Sequence, residues 1–209
     1  MSENEVPCWL AWAREIEALS QSGLTYSQNS YDIQRYRRLM EIAAEMAHEH
    51  TELSVEQLLG TFRQQIGYAT PKVDVRGAVV RGEQILLVQE SRDKRWCMPG
   101  GWADVGEYPS KTAEREVWEE SGFQVLARKV IGVYDANRGG LPVEFFHAYK
   151  IVFLCDLMGG EPRPSDETLA VGFFDFAALP PLSTDRTNER HLAEVLAHLR
   201  DANRPTAFD

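Results

Sequence analysis

The sequence predicts an α+β protein in which a small all-helical unit precedes a mixed sheet-and-helix sandwich. Apolar residues recur at spacings of three and four over residues 8–66, a pattern typical of amphipathic helices. After Thr70 and Pro71 the pattern changes to short β-rich runs. These runs are mixed with two helical segments instead of alternating regularly with helices, which favours a mixed sandwich over a parallel α/β sheet.

Composition limits the classes of function. The 209 residues carry a formal net charge of -10, which argues against a sequence-independent binder of duplex DNA. Nucleotides stay possible ligands, because a bound divalent metal can supply the missing positive charge. Cys8, Cys97 and Cys155 form no CxxC pair, which disfavours a disulfide framework or a zinc site. With no signal peptide and no apolar segment of membrane-spanning length, we expect a cytoplasmic protein.

The N-terminal domain is predicted to span residues 1–69 and to begin with a helix over residues 8–22. This helix is expected to end at Gly23, since glycine commonly follows the last helical residue. Its predicted apolar face consists of Trp9, Trp12, Ile16 and Leu19.

Two further helices are predicted in this domain. Ser30 or Asp32 can cap the second. The third begins at Ser54, whose spacing from Gln57 is that of a capping box, and is expected to stop at Gly67. Their predicted apolar faces are Ile33, Tyr36, Met40 and Ala43 in the second helix, and Val55, Leu58, Leu59, Phe62 and Ile66 in the third.

The second domain, residues 70–209, is predicted to begin with a β-hairpin. Two β-rich runs, 73–80 and 85–88, are separated by the tripeptide at 81–83. The later predicted elements are a turn at 99–101, strands near 125–133, 147–157 and 171–174, a glycine loop at 137–140, a helix at about 188–199 and a loose tail at 204–209.

Residues 110–120, if helical, place three glutamates on one face. Glu116, Glu119 and Glu120 stand at i, i+3 and i+4, with Cβ atoms roughly 5 to 6 Å apart. Carboxylates that close repel each other unless the face is well solvated or a cation lies among them. The helix dipole disfavours negative charge at this C-terminal end, which favours a cation over a solvated face. Hard oxygen donors suit Mg²⁺ or Mn²⁺, and Mg²⁺ commonly bridges carboxylates to substrate phosphates.

The segment from Gly101 to Phe123 resembles the Nudix box. Five residues separate Gly101 from Glu107, seven separate Glu107 from Arg115, and the segment closes as REVWEESGF, so every specified position is met over 23 residues. The resemblance implies a Nudix α/β/α sandwich that uses a divalent metal to hydrolyse a diphosphate linked to another moiety.

The resemblance also implies roles for individual residues. Arg115 matches the arginine that orients a glutamate by a charge-assisted hydrogen bond. In this family the general base lies in the box or in a later loop, so Glu116 and Glu167 are both candidates. The predicted catalytic residues are Arg115, Glu116, Glu119 and Glu167. The predicted metal-site residues are Gly101, Glu107, Glu116, Glu119 and Glu120.

Residues 9–46 resemble the helical domain attached to a subset of bacterial Nudix hydrolases that act on nucleoside diphosphates linked to another group. The sequence GLTY followed by YDIQRY carries this resemblance. It implies ADP-ribose or CDP-choline as the substrate, and it implies a homodimer.

Four residues are candidates for contacting the substrate. Arg76 lies in a strand, where an inward arginine is costly unless it is paired or faces a pocket. Trp96 either stacks on a base or belongs to the core. Tyr26 and Tyr31, in the polar loop of the helical domain, either reach the partner subunit's nucleotide site or pack locally.

Two other functions compete with this interpretation. A pyrophosphohydrolase of nucleoside triphosphates or of RNA 5′ ends is the first. The net charge disfavours RNA, although Arg76, Arg92, Lys94 and Arg95 could form a local basic groove. The second is a non-catalytic nucleotide sensor, which would be expected to lack box glutamates, whereas none is missing here.

Overall fold

The structure is a computed structural model that describes residues 7–136 and 146–209. The chain divides after Pro71 into a helical unit and a sheet-containing unit. The glycine loop predicted at 137–140 lies outside the described residues. None of the helices in the described ranges is long and apolar enough to cross a membrane.

The helical unit contains α1 (Cys8–Tyr26), α2 (Ser30–His48) and α3 (Val55–Arg63), which confirms the three predicted helices. Its core is formed by Met40, Ala43, Ala44, Ala47, Leu58 and Phe62.

The prediction for α1 was wrong at its end and for half of its face, since Trp9 and Ile16 pack against the core as predicted and the other two residues do not. The helix continues past Gly23, because this glycine serves close packing: a Cβ there would lie 2.4 Å from the ring of Tyr36 on α2. The buried apolar residues are Leu10 and Ala13. Trp12 and Leu19, predicted to be buried, are 57% and 58% exposed.

The ends of the other two helices also differ in detail. The side chain of Asn29, rather than Ser30 or Asp32, caps α2 by accepting a hydrogen bond from the Tyr31 N–H at 2.8 Å. The capping box of Ser54 and Gln57 at the start of α3 is confirmed. The helix ends at Arg63, before Gly67, and Ile66 is therefore exposed.

The elements of the sheet-containing unit are β1 (Lys72–Arg81), β2 (Gln84–Glu90), β3 (Trp96–Cys97), β4 (Gly100–Trp102), α4 (Pro109–Ser121), β5 (Phe123–Asp135), β6 (Ala148–Gly160), β7 (Thr168–Asp175), α5 (Glu189–Arg200) and β8 (Ala207–Phe208). The sheet is organised around its first strand, β1. This strand pairs in parallel with β6 and antiparallel with β2 and β4. Beyond these neighbours, β2 pairs with β3 and β7, and β6 pairs with β5.

Residues of β1 that face opposite sides of the sheet enter two different cores. Val75 packs in a cluster that includes Val117 of α4. Ala78 packs in a second cluster that includes Val195 of α5. Because successive strand residues point to opposite faces, the two helices cover the two sides of the sheet, and the predicted α/β/α sandwich is confirmed.

The hairpin prediction is confirmed, and the prediction of a loose tail is wrong. Strands β1 and β2 are joined at the Arg81–Gln84 pair, and Gly82 in the turn has a φ of +63°, a conformation that favours glycine. At the C-terminus, β8 pairs in parallel with β5 through Gly132 and Ala207. The tail therefore gains backbone hydrogen bonds at the edge of the sheet.

Candidate active site

Helix α4 carries the glutamate cluster. It begins with Pro109 at its first position, which suits proline because the N–H there needs no partner within the helix. It is capped by Gly122, whose N–H donates to the Trp118 carbonyl at 2.8 Å and whose φ of +78° turns the chain out of the helix. Because Val117 faces the core, the last two turns place Glu116, Glu119 and Glu120 beside one another on another face.

Arg115 is the cation at the centre of this cluster. Its Nη1 donates to Glu116 Oε1 at 2.8 Å and to Glu119 Oε2 at 2.9 Å. Its Nη2 donates to Glu107 Oε2 at 3.0 Å and lies 3.4 Å from Asp104 Oδ2. One guanidinium thus links box residues from the loop before α4 to residues on the helix itself.

Glu107 reaches the helix from that preceding loop. Its carboxylate accepts hydrogen bonds from Arg115 and from the Thr112 hydroxyl, the latter at 2.9 Å. These hydrogen bonds, led by that of Arg115, lower the pKa of Glu107 below its ordinary value. Glu107 therefore stays ionised and fixes the arginine that contacts the other glutamates.

The backbone of Gly100 and Gly101 forms the opposite side of the cluster. The Gly100 N–H donates to Glu120 Oε2 at 2.9 Å. A Cβ on Gly101 would lie 2.9 Å from Glu116 Oε2. A side chain at this position would therefore displace the Glu116 carboxylate from where it lies.

Burial dominates the electrostatics of Glu120, which is 6% exposed. It raises the pKa of Glu120 to about 7, against the opposing effects of the Arg76 charge and the Gly100 N–H. The pKa of Glu116 is also raised, again chiefly by burial and against the charge of Arg115. Both carboxylates are therefore costly to ionise, and a nearby cation would lower that cost.

A cavity of about 340 Å³ opens beside these glutamates. It is lined by Arg115, Glu116, Glu119, Glu120, Ser165, Asp166 and Glu167. The structure thus brings Glu167, predicted from a loop more than forty residues later in the chain, to the cavity of the box glutamates. Ser165 and Asp166 were not predicted, since only their neighbour Glu167 had been singled out in that loop.

The other predicted substrate contacts lie outside this cavity. Arg76 is 4% exposed and is held by Asp74, with Nη2 donating to Oδ1 at 2.8 Å and Nη1 donating to the Met98 carbonyl. Buried in this way, it adds nothing to a basic surface groove for RNA. Trp96 packs edge-on against Phe174 in the core on the α5 side. Substrate contact by these residues remains a prediction.

Tyr26 and Tyr31 belong to the helical unit, and both side chains are exposed. Tyr26 ends α1 and Tyr31 lies in the first turn of α2. Their predicted contact with a nucleotide remains untested.

The donor set suits a divalent cation in its chemistry, although the carboxylates point in different directions. Within the described ranges, no three acidic, histidine or cysteine side chains form a group that could hold a metal ion. Glu116 and Glu119 are turned towards Arg115, and Glu120 is turned towards the Gly100 N–H. Their hard oxygens match what Mg²⁺ or Mn²⁺ prefers. A bound ion would also offset the burial that raises the pKa values of Glu116 and Glu120. Binding an ion would require these side chains to turn.

Comparisons with known proteins give matches in both the N-terminal and the C-terminal part of the chain. Residues 7–62 match the family described as a UDP-X-like, N-terminal oligomerisation domain. Residues 71–197 match the NUDIX domain. The chain is 37% identical over 201 residues to the Bacillus subtilis (strain 168) protein YjhB, whose name carries a provisional assignment as an ADP-ribose pyrophosphatase; the match covers 96% of this chain and 97% of that protein.

Two solved structures are similar to this one. The ADP-ribose pyrophosphatase of Streptococcus suis 89-1591 has a TM-score of 0.60 and 39% identity, and the match covers 67% of this chain and 100% of that chain. A UDP-X diphosphatase has a TM-score of 0.61 and 28% identity, covering 96% of this chain and 98% of the other.

The NUDIX domain match extends over more than half of the chain and includes every position of the 23-residue box. The similarity to the Bacillus subtilis protein extends over nearly the whole length of both chains. This chain belongs to the Nudix family of pyrophosphohydrolases, and it carries the family's N-terminal oligomerisation domain.

Proposed function

We propose that this protein hydrolyses the diphosphate linkage of a nucleoside diphosphate joined to a second group. The products are a nucleoside monophosphate and a phosphorylated second product. The observation that carries the proposal is the shared cavity, where glutamates of α4 meet Glu167 of a later loop beside Arg115. Such a site supplies both the acidic groups that bind a cation and a separate carboxylate that accepts a proton.

The charge of the cavity supports a role for divalent cations. Five carboxylates and one guanidinium line it among the described residues. A diphosphate anion entering this negative cavity would be repelled unless cations accompany it. We propose that Glu116, Glu119 and Glu120 hold Mg²⁺ or Mn²⁺, with Gly101 and Glu107 supporting the site. When bound, such an ion neutralises the diphosphate oxygens and activates water.

Glu167 is the general base in this proposal. Glu116 and Glu119 are already paired with Arg115, and Glu120 accepts from Gly100. The Glu167 carboxylate, in contrast, has no hydrogen bond or ion pair within the described part of the chain. Its backbone is fixed by hydrogen bonds from the Ser91 N–H to its carbonyl and from its own N–H to Ser165 Oγ, both at 3.2 Å. A carboxylate that is free on a fixed backbone can take a proton from the attacking water.

The names of similar proteins guide the choice of substrate. Both the Bacillus subtilis relative and the Streptococcus suis structure are named for ADP-ribose, and the full-length structural neighbour is named for UDP-X. ADP-ribose is therefore the first substrate to test, followed by UDP-sugars and CDP-choline. All share a nucleoside diphosphate linked to another group.

We propose that residues 1–69 form a dimerisation domain and residues 70–209 the catalytic domain. Trp12, Leu19 and Tyr26 are spaced by seven residues along α1, so they lie along one line of the helix, and they are 57%, 58% and 69% exposed. An exposed apolar line of this kind, in a region that matches an oligomerisation domain, fits a second copy of the chain. Replacing Trp12 and Leu19 by serine is expected to lower the mass in light scattering from that of a dimer to that of a monomer.

The proposed reaction is tested by incubating the protein with ADP-ribose, a UDP-sugar and CDP-choline, with Mg²⁺ or Mn²⁺, and separating the products. The expected result is a nucleoside monophosphate that appears with metal and not with excess chelator. Absence of turnover of all these compounds with either ion would contradict the proposal.

A further inference from the structure

The loop between β6 and β7, together with Thr168 at the start of β7, caps the C-terminal end of α4. The last carbonyls of a helix have no partner within the helix and need donors from elsewhere. The Thr168 hydroxyl donates to the Glu120 carbonyl at 2.9 Å, and the Arg163 N–H donates to the Ser121 carbonyl at 2.8 Å. The loop approaches this closely at a glycine, since a Cβ on Gly122 would lie 2.4 Å from the Glu161 carbonyl oxygen.

Thr168 also organises the acidic part of that loop. It is buried, and its hydroxyl accepts a hydrogen bond from the Ser165 N–H at 2.9 Å while it donates to Glu120. Ser165 Oγ in turn accepts from the Glu167 N–H at 3.2 Å. A continuous chain of hydrogen bonds therefore runs from the backbone of Glu120 through Thr168 and Ser165 to the backbone of Glu167.

We propose that Thr168 is a positioning residue that sets the distance between the carboxylates of α4 and the carboxylate of Glu167. The inference rests on the proposed function, in which Glu167 accepts the proton. Glu120 contributes its carbonyl to this hydrogen-bond chain and its side chain to the cavity, so a shift of the loop relative to α4 changes the cavity directly. Thr168 itself does not line the cavity.

The hydrogen bonds that would remain without the Thr168 hydroxyl distinguish a positioning role from a general role in stability. If the Thr168 hydroxyl is removed, the Arg163 hydrogen bond to Ser121 still caps the helix. The Ser165 N–H, however, loses its acceptor, so the link from α4 through Ser165 to the Glu167 N–H is broken, and among the described residues Glu167 keeps only the hydrogen bonds to Ser91 and Ser165. The expected damage is therefore local to the acidic loop.

The test compares the full-length protein with Thr168→Val, which keeps the shape and removes the hydroxyl, and with Thr168→Ser, which keeps the hydroxyl. In Thr168→Val we expect amide hydrogen exchange at Ser165 to become about tenfold faster while that at Arg163 is unchanged. We expect kcat to fall by about tenfold or more with KM nearly constant, because a small misplacement of a reacting group has effects of this size. Thr168→Ser is expected to restore both.

Each alternative outcome bears on a different claim. If the wild type is active and Thr168→Val has the same kcat, the positioning role is overturned. It is also overturned if Thr168→Ser is as impaired as Thr168→Val. Unchanged amide hydrogen exchange at Ser165 in Thr168→Val would show that the Thr168 hydroxyl does not hold the loop, whatever the activity of the variant. A wild type that hydrolyses no diphosphate would contradict the proposed function itself. If Thr168→Val does not fold, Ser165→Ala breaks the next link, and full activity in that variant would equally overturn the inference.

Discussion

Arg115 and Glu119 lie one turn apart on α4 and are joined by a hydrogen bond of 2.9 Å. The same nitrogen of Arg115, Nη1, donates to Glu116 at 2.8 Å, and Nη2 donates to Glu107 at 3.0 Å. The arginine thus neutralises carboxylates on which the proposed function places a divalent cation. Arg115 keeps these acids close together, and metal binding would compete with it for two of them.

This relationship predicts the effect of Arg115→Gln. Without the guanidinium the half-buried carboxylates lose their counter-charge, so the free energy of unfolding without metal should fall by about 1 to 2 kcal/mol. Urea unfolding in the presence of chelator measures it. Arg128→Gln is the matched control, since Arg128 pairs with Asp156 at the exposed surface, where a change below about 0.5 kcal/mol is expected. Equal losses in the two variants would show that Arg115 has no special role in the cluster.

Gly101→Ala tests the close approach of the backbone to Glu116. The added Cβ would lie 2.9 Å from Glu116 Oε2, so the carboxylate must move. Because only the end of a flexible side chain moves, the fold is expected to be unaffected. We expect kcat to fall by about tenfold with an unchanged melting temperature. Gly159→Ala, where a Cβ meets nothing within 4 Å, should leave both quantities as in the wild type. A Gly101→Ala enzyme with the kcat of the wild type would remove Gly101 from the proposed site.

Glu167→Gln distinguishes the two candidate general bases. The amide cannot accept the proton, so kcat should fall by about a hundredfold or more, with little change in KM. Glu161→Gln is the control, because Glu161 lies in the same loop and does not line the cavity. Activity near that of the wild type in Glu167→Gln, together with its loss in Glu116→Gln, would assign the base to Glu116 instead.

Glu17 makes the stability of the helical unit depend on pH. It is 5% exposed, its Oε1 has no hydrogen-bond partner among the described residues, and burial raises its pKa from 4.5 to about 7. Between these two values the folded protein holds a proton that the unfolded chain has lost, so stability falls as the pH rises through this window. The expected loss is at most about 3 kcal/mol.

Replacing Glu17 by glutamine should remove this part of the pH dependence. Urea unfolding at about pH 4.5 and about pH 8 would then show a smaller difference in Glu17→Gln than in the wild type. Glu15→Gln, an exposed position on the same helix, should keep the wild-type difference. A Glu17→Gln protein with the full pH dependence would contradict this assignment.

Local patterns predicted the parts of the fold that depend on neighbours in sequence. The capping box of Ser54 and the hairpin turn at Gly82 are formed by residues a few positions apart, and both are present. Helix α4 likewise follows from a local pattern, with Gly122 at its end.

Tertiary packing decided the features that local patterns did not predict. Gly23 resembles a helix stop, yet it accommodates the ring of Tyr36 from α2. The tail containing Ala207 forms a strand only because β5 offers a free edge. At the site, Asp166 reaches the cavity because Thr168 binds the Glu120 carbonyl, a contact across 48 residues that no spacing rule predicts.

Hydrolysis of ADP-ribose in water enriched in heavy oxygen, by the wild type and by Glu119→Gln, is the decisive measurement. With Mg²⁺ we expect the wild type to place one heavy oxygen in one of the two phosphorylated products, which also identifies the phosphorus attacked. We expect Glu119→Gln to fold normally and to lose this activity. Label-free products, or undiminished turnover in Glu119→Gln, would contradict a diphosphate hydrolase that works through the α4 glutamates.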